Sequence, residues 1–329
     1  MSRDKIVVLG AGGFVGGYLV EQLAKHYKPK DIIAVSSRPL EQWLKVHPGT
    51  KHIVTDLRDA DFAYSIVPES RRIFNLAAKV GGIGYIQGKS KVECLLSSQI
   101  NTNFLRAISE YPLEGFLSYF YASSACVYPN RECVAYKETD AYPAAPSAGY
   151  GWEKLFGEQM CMAFADEHRI PVRIGRYHTI YGPGDDIKGA ENRDHAPAAL
   201  ARKVIRAKID GRPEIAIWGD GNQVRNFTHV DDIVDGTIRL CTTTDYTRPV
   251  NIGSSEAVTI NRLVDILENI AGVTLERFYN ASAPVGLERR NSDNTLIRQL
   301  LDWEPRIRLE HGMRELYNDL WNKMFIKGK

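Results

Sequence analysis

Short apolar, β-branched runs alternate with stretches of helical periodicity through the first half of the chain. The strand-like runs are Ile6–Leu9, Ile32–Val35, Ile53 and Val54, Ile73–Leu76, Phe116–Tyr121 and Val172–Ile174. Strands separated by helix-length segments pair in parallel, with the helices crossing over both faces, so each strand must be apolar along its whole length. The pattern predicts an α/β fold, a Rossmann-type doubly wound parallel sheet. After Tyr181-Gly182-Pro183-Gly184 the texture turns polar and Gly-rich through Asn192, which predicts a loop over a site. Beyond it the sequence predicts a strand at Glu214–Trp218, a turn at Gly219-Asp220-Gly221, a strand near Asn226–Thr228 and a helix from about Asp231 to Cys241. Helical spacing returns over Ile260–Ile270 and from Leu309 onward. These later elements imply a smaller C-terminal α/β part packed on the sheet, with no internal repeats.

Composition changes this picture little. The 329 residues are 44% hydrophobic and 25% charged, as in ordinary globular chains. Lys and Arg number 42 against 40 Asp and Glu, a net charge of +2, so no global field favours nucleic acid or an anionic membrane. An anionic ligand must therefore be met by local groups. Cys94, Cys126, Cys133, Cys161 and Cys241 are odd in number and lack close pairs, which argues against a disulfide framework and against a metal site, and for a reducing, cytoplasmic setting. No segment approaches the roughly 18 apolar residues of a membrane span, and the opening Met-Ser-Arg-Asp-Lys lacks a signal-peptide core.

The first strand leads into Gly10-Ala11-Gly12-Gly13-Phe14-Val15-Gly16-Gly17 and then a good helix at Tyr18-Leu19-Val20-Glu21-Gln22-Leu23. Strand, Gly-rich turn and helix in this order let backbone amides approach a pyrophosphate at the helix N-terminus, so a dinucleotide is expected on Gly10, Gly12, Gly13, Phe14, Val15 and Gly16. An acid ending the second strand would select NAD, but Ser36-Ser37-Arg38 stand there, and two hydroxyls with a guanidinium leave NAD or NADP open. The third and fourth strand ends add Asp56, Leu57, Ala77 and Ala78 to the candidate set. Asp56 could accept from the adenine amino group or cap a helix. The expected dinucleotide domain spans residues 1–183 plus about 222–252, and a substrate-binding domain takes about 184–221 plus 253–329.

Tyr150 and Lys154 lie four apart, on one face of a helix, so an ammonium stands beside a phenol and favours phenolate. That makes Tyr150 a candidate general base. A Ser-rich strand end, Tyr121-Ala122-Ser123-Ser124, precedes it by some 25 residues. With these features the sequence resembles the extended short-chain dehydrogenase/reductase family over essentially the whole chain. Trp218-Gly219-Asp220-Gly221, the Arg225–Asp232 segment and Val250-Asn251-Ile252-Gly253 are also similar to that family's signatures.

Within it, Leu76–Gly84, Ser123-Ser124-Ala125-Cys126-Val127-Tyr128-Pro129 and Arg290-Asn291-Ser292-Asp293-Asn294 resemble the GDP-mannose 3,5-epimerase branch. The first two are also similar to the GDP-L-fucose synthase branch. The resemblance implies Ser124, Cys126, Tyr150, Lys154 and His195 as catalytic residues. It departs from the epimerase branch at His195, where a Lys is expected, and at Thr179 and Ser36. What the resemblance implies for chemistry is oxidation of a sugar carbon C4 against the nicotinamide. The C3 and C5 hydrogens thereby become acidic, Cys126 and His195 exchange protons on opposite ring faces, and C4 is reduced again. Tyr150 and Lys154 would also touch the cofactor. The substrate, a GDP-sugar, would meet Gly81, Ser124, Cys126, Thr179, His195, Lys203, Gln223, Arg225 and Arg290, and a homodimer is implied. A reductase on a GDP-4-keto-6-deoxy sugar, consuming NADPH, is the nearer alternative. A non-catalytic dinucleotide-binding regulator is the other, although it predicts a degraded centre.

Overall fold

The computed structural model describes residues 3–78, 91–129, 135–146, 148–185, 195–283 and 288–326. Seven parallel strands form the main sheet: β1 (Lys5–Leu9), β2 (Ile32–Ser36), β3 (Lys51–Val54), β4 (Ser70–Asn75), β5 (Ser118–Ser124), β6 (Val172–Tyr177) and β11 (Pro249–Ile252). Their order is β11-β6-β5-β4-β1-β2-β3. The chain starts mid-sheet, winds to one edge, then returns past β1 to build the other, which opens a crevice at the C-terminal strand ends. Successive side chains alternate between faces. Val7, Leu9, Ile33 and Val35 join α2 (Ala60–Ile66), α4 (Ser98–Glu110) and α5 (Gly149–His168) in one core, while Ile6, Val8, Ile32 and Ala34 join α1 (Phe14–His26) and α7 (Val230–Thr243) in the other.

The remaining strands form three small sheets. β7 (Ile180–Tyr181) pairs with β10 (Thr228–His229), β9 (Val224–Asn226) lies between β12 (Ala257–Thr259) and β14 (Arg289–Arg290), and β8 (Glu214–Trp218) pairs with β13 (Glu276–Asn280). α6 (Ala196–Asp210), α8 (Ile260–Ala271) and α10 (Leu309–Trp321) close a third core around Val204, Ile217, Leu263 and Leu316. Between α8 and α10 the chain goes back to the main sheet, where Ile297 of α9 (Thr295–Leu301) and Trp303 are fully buried beside Ile233 and Ile252. No helix among the described residues is long and apolar enough to cross a membrane.

Two differences from the sequence pattern matter. Pro249–Ile252 is a seventh strand of the main sheet rather than only a signature, with Pro249 opposite Ile174 in register. The stretch near Asn226–Thr228 is two strands broken at Phe227, and each half pairs with a different partner.

A buried ion pair ties β6 to α5 under the crevice. Arg176 Nε and Nη2 donate to the two oxygens of Glu158 at 2.8 and 2.7 Å. Ser123 Oγ donates to the same carboxylate, and Arg176 Nη1 reaches Tyr128 OH and Glu138 O. Both side chains are essentially sealed from solvent. Removing one partner strands the other charge, so Glu158→Met is expected to cost about 3–5 kcal/mol, and adding Arg176→Met should restore most of it. Urea midpoints at unchanged m values measure both.

Candidate active site

The Gly-rich turn is built for close backbone approach. Gly10 sits at φ +86°, and the amides of Gly10 and Ala11 both donate to Val35 O at 2.8 and 2.9 Å, tying the turn to β2. A Cβ on Gly16 would lie 2.2 Å from Gly10 O, so only glycine lets α1 seat on the turn. No side chain caps α1 at Gly13 and no acid stands in its first turn. Uncapped amides at the positive end of a helix fit the pyrophosphate of a dinucleotide.

At the end of β2, Ser36 is buried, with its Oγ accepting from Arg38 N at 3.3 Å, and Trp43 Nε1 donates to Arg38 O at 2.8 Å. Ser37 and Arg38 are the exposed residues there. Asp56 is exposed and held by both oxygens to Arg58, while Asp59 caps α2. Leu57 is buried. Ala77 closes the other side, its backbone 3.0 Å from where a Gly10 Cβ would stand, with half-buried Ala78 beside it.

Ser124 ends β5, and its Oγ accepts from Cys126 N at 3.2 Å, which caps a single 3₁₀ turn over Ala125–Val127. The first turn of α5 presses on this turn: a Cβ on Gly151 would lie 2.2 Å from Cys126 O. Tyr150 therefore arrives beside the Ser124/Cys126 turn, and it is 6% exposed. Lys154 is buried behind it, with Nζ 5.6 Å from the centre of the Tyr150 ring, 4.9 Å from that of Tyr121 and 3.5 Å from Glu153 Oε2. Tyr121 OH donates to Glu153 at 3.3 Å. Burial, and then the Glu153 carboxylate, push the Tyr121 phenol well above its usual range, so it stays a donor.

Cys126 differs from the other described cysteines. Cys161 and Cys241 are buried, and burial pushes the Cys241 thiol up to about 12 and Cys161 higher still. Cys126 is half-buried, and Arg290 Nη1 lies 3.7 Å from its sulfur. Strand pairing sets Arg290 opposite Arg225. Burial, and then the neighbouring Arg290 charge, push the Arg225 guanidinium down to about 10. Arg290 Nε and Gln223 Oε1 are buried without hydrogen-bond partners among the described residues. Two adjacent guanidiniums, one with an unpartnered N–H, suit an anion, and the amide oxygen of Gln223 can accept from a ligand hydroxyl or N–H.

The structure does not bring Lys203 into that pair by any contact. Its Nζ donates to Ala216 O at 2.7 Å and lies 5.7 Å from the centre of the Trp218 ring. Thr179 contributes its carbonyl to Thr228 N. Gly81 and Cys133 lie outside the described residues. His195 stands at the N-cap of α6 with Nδ1 3.3 Å from Asp185 Oδ1. Asp185, Glu153 and the Arg176/Glu158 pair are absent from the sequence-based set. The one local signal for Asp185 is its place directly after the Gly-Pro-Gly turn.

Residues 6–253 match the NAD-dependent epimerase/dehydratase family. The chain belongs to that family. It is 38% identical to GDP-mannose 3,5-epimerase 1 of Oryza sativa subsp. indica, over 98% of this chain and 82% of that one. It is 37% identical to GDP-mannose 3,5-epimerase of Arabidopsis thaliana, over 98% and 83%. GDP-L-fucose synthase 1 of Arabidopsis thaliana is 27% identical, over 95% and 92%. Among solved structures, UDP-glucose 4-epimerase of Thermotoga maritima superposes with a TM-score of 0.84 at 23% identity, over 97% of this chain and 99% of that one. As a member of the epimerase/dehydratase family the protein is an NAD-dependent enzyme.

His178 is buried, with Nε2 3.3 Å from Asn251 Oδ1. Burial first, and then Arg290 and Arg176, push its imidazole down to about 4, so it is neutral in the folded protein. The unfolded chain binds this proton near pH 6.5, the folded chain only near 4. Its contribution is therefore complete above about pH 6.5 and lost as pH falls, by about 3 kcal/mol at pH 4. Urea unfolding at pH 7 and pH 4 should show this loss in the wild type relative to His178→Gln.

Proposed function

We propose that the protein is a nucleotide-sugar 3,5-epimerase acting on GDP-mannose or a related GDP-hexose or GDP-heptose. The observation that carries the reading is Cys126: a half-buried thiol two residues past Ser124, against the first turn of the Tyr150/Lys154 helix, with a guanidinium on its sulfur. A proton-transferring side chain at that place has no use in simple C4 oxidation, but it does in exchange at a neighbouring ring carbon. The identity to two GDP-mannose 3,5-epimerases supports the choice of sugar nucleotide.

When bound, the dinucleotide supplies reversible hydride acceptance at C4. The chain's residues do the rest. Tyr150, with Lys154 buried behind it and Ser124 at the strand end, takes and returns the C4 hydroxyl proton. A ketone at C4 lets negative charge at C3 or C5 spread into an enolate, so Cys126 and His195 remove and deliver protons from opposite faces. Arg225 and Arg290 hold the diphosphate.

A second reading is a 3,5-epimerase and 4-reductase of a GDP-4-keto-6-deoxy sugar that consumes NADPH. It is favoured by an imidazole at position 195 and by the exposed Ser37 and Arg38 at an acid-free strand end. Incubation with GDP-mannose in deuterated water, without added reductant, is expected to place deuterium at C3 and C5. Cys126→Ser should slow that exchange roughly 10²–10⁴-fold while C4 oxidation persists. No incorporation by the wild type, together with NADPH oxidation on a 4-keto sugar, establishes the second reading instead.

The protein is also proposed to be a homodimer. Trp152 and Phe156 of α5 are 48% and 56% exposed, and Val92 and Leu95 of α3 (Lys91–Leu96), which packs on α5, are 67% and 48% exposed. Four large apolar side chains on two packed helices make a patch suited to an isologous contact. Trp152→Glu with Phe156→Glu is expected to halve the mass seen by sedimentation equilibrium.

A further inference from the structure

We infer that Asp185 is a positioning residue for His195, fixing its tautomer and ring orientation so that Nε2 is the atom that exchanges a proton with the sugar. This rests on the proton-transfer role proposed above for His195. A neutral imidazole has one N–H and one bare nitrogen, and a carboxylate beside Nδ1 keeps the hydrogen there. Asp185 Oδ1 stands 3.3 Å from His195 Nδ1, and the Asp185 side chain is 7% exposed while that of His195 is 31% exposed. The carboxylate is thus buried against a ring that remains partly exposed.

The mount of Asp185 is rigid on several sides. Its amide donates to Gly182 O at 3.0 Å, closing the Gly-Pro-Gly turn. Tyr18 OH of α1 donates to Pro183 O at 2.8 Å, and burial pushes that phenol above its usual range, which keeps it a donor. Gly184, at φ +88°, donates to Asp319 Oδ2 of α10 at 3.0 Å, and Lys323 holds the same oxygen at 2.7 Å. A Cβ on Gly184 would lie 2.7 Å from Leu44, whose own amide donates to Gly12 O of the dinucleotide turn. The loop that carries Asp185 is therefore clamped between the cofactor-binding turn and the C-terminal helix. His195 is fixed separately as the N-cap of α6, with Ala199 N donating to its carbonyl at 3.0 Å. Carboxylate and imidazole meet across two independently anchored backbones, the arrangement that fixes a base in one orientation.

The test uses the full-length protein. Nitrogen-15 spectra of the histidine rings are expected to show His195 as the Nδ1–H tautomer in the wild type, with both tautomers populated in Asp185→Asn. In deuterated water with GDP-mannose, Asp185→Asn should slow epimerisation at both C3 and C5 by about 10²-fold, with KM little changed and C4 oxidation retained. The limb of the pH profile owed to His195 should move to lower pH. Asp185→Glu should recover part of the rate, and in a His195→Ala background Asp185→Asn should have no further effect. A His195 tautomer unchanged in Asp185→Asn, or a loss of C4 oxidation equal to the loss of epimerisation, overturns the inference. Absence of any exchange in the wild type refutes the epimerase reading instead, and the ring spectra then decide the role of Asp185 alone.

Discussion

A single backbone contact organises the chemistry: the carbonyl of Cys126 lies against the first turn of the helix bearing Tyr150 and Lys154, closer than any side chain at position 151 would permit. Three groups with separate origins in the chain are brought to one spot by it. Ser124 ends a strand, Cys126 sits in the turn that follows, and Tyr150 begins a helix more than twenty residues later. Each is then held by its own element, so none depends on a flexible side chain to find the others. The buried Arg176/Glu158 pair and Ser123 fasten the same helix to the sheet one layer lower, which keeps the contact from opening.

The electrostatics follow a complementary logic. A chain with almost no net charge concentrates cations where strand pairing puts Arg225 opposite Arg290. Burial and the neighbouring Arg290 charge lower the Arg225 guanidinium, and an anion between the two would offset their repulsion. Neutral His178 and the hydrogen bonds of Asn251 to Tyr128 and Tyr136 add no third charge. The thiol of Cys126 lies against Arg290, so the guanidinium pair and the thiol form one polar cluster.

Most of the fold was legible in the sequence because strands covered on both faces write themselves as continuous apolar runs. Pro249–Ile252 escaped that rule: it carries Asn251, whose buried amide is satisfied by Tyr128 and Tyr136, and such partners are visible only once the chain is folded. The Gly-rich turn and the Tyr150/Lys154 pair were legible from spacing along the chain, whereas Ser124, Cys126 and His195 came into view only through the family resemblance. Asp185 was not, since its partner is ten residues away across a loop and only packing brings them together. Ser36 shows what only the folded chain reveals. At the acid-free strand end its side chain is buried and its hydroxyl accepts from Arg38 N. Lys203 matched by position, while its ammonium is committed to Ala216 O.

The return of the chain to the main sheet, through Ile297 and Trp303, bears on how the protein is made. The last strand of that sheet is complete only at residue 252, and one of its faces is sealed only when Trp303 packs beside Ile233. A nascent chain that already carries the Gly-rich turn and the Tyr150/Lys154 helix still exposes apolar sheet surface until residue 303 has been synthesised. Such late closure is where long-range topology leaves a growing chain most prone to wrong association, and it binds the two halves of the molecule into one cooperative folding event.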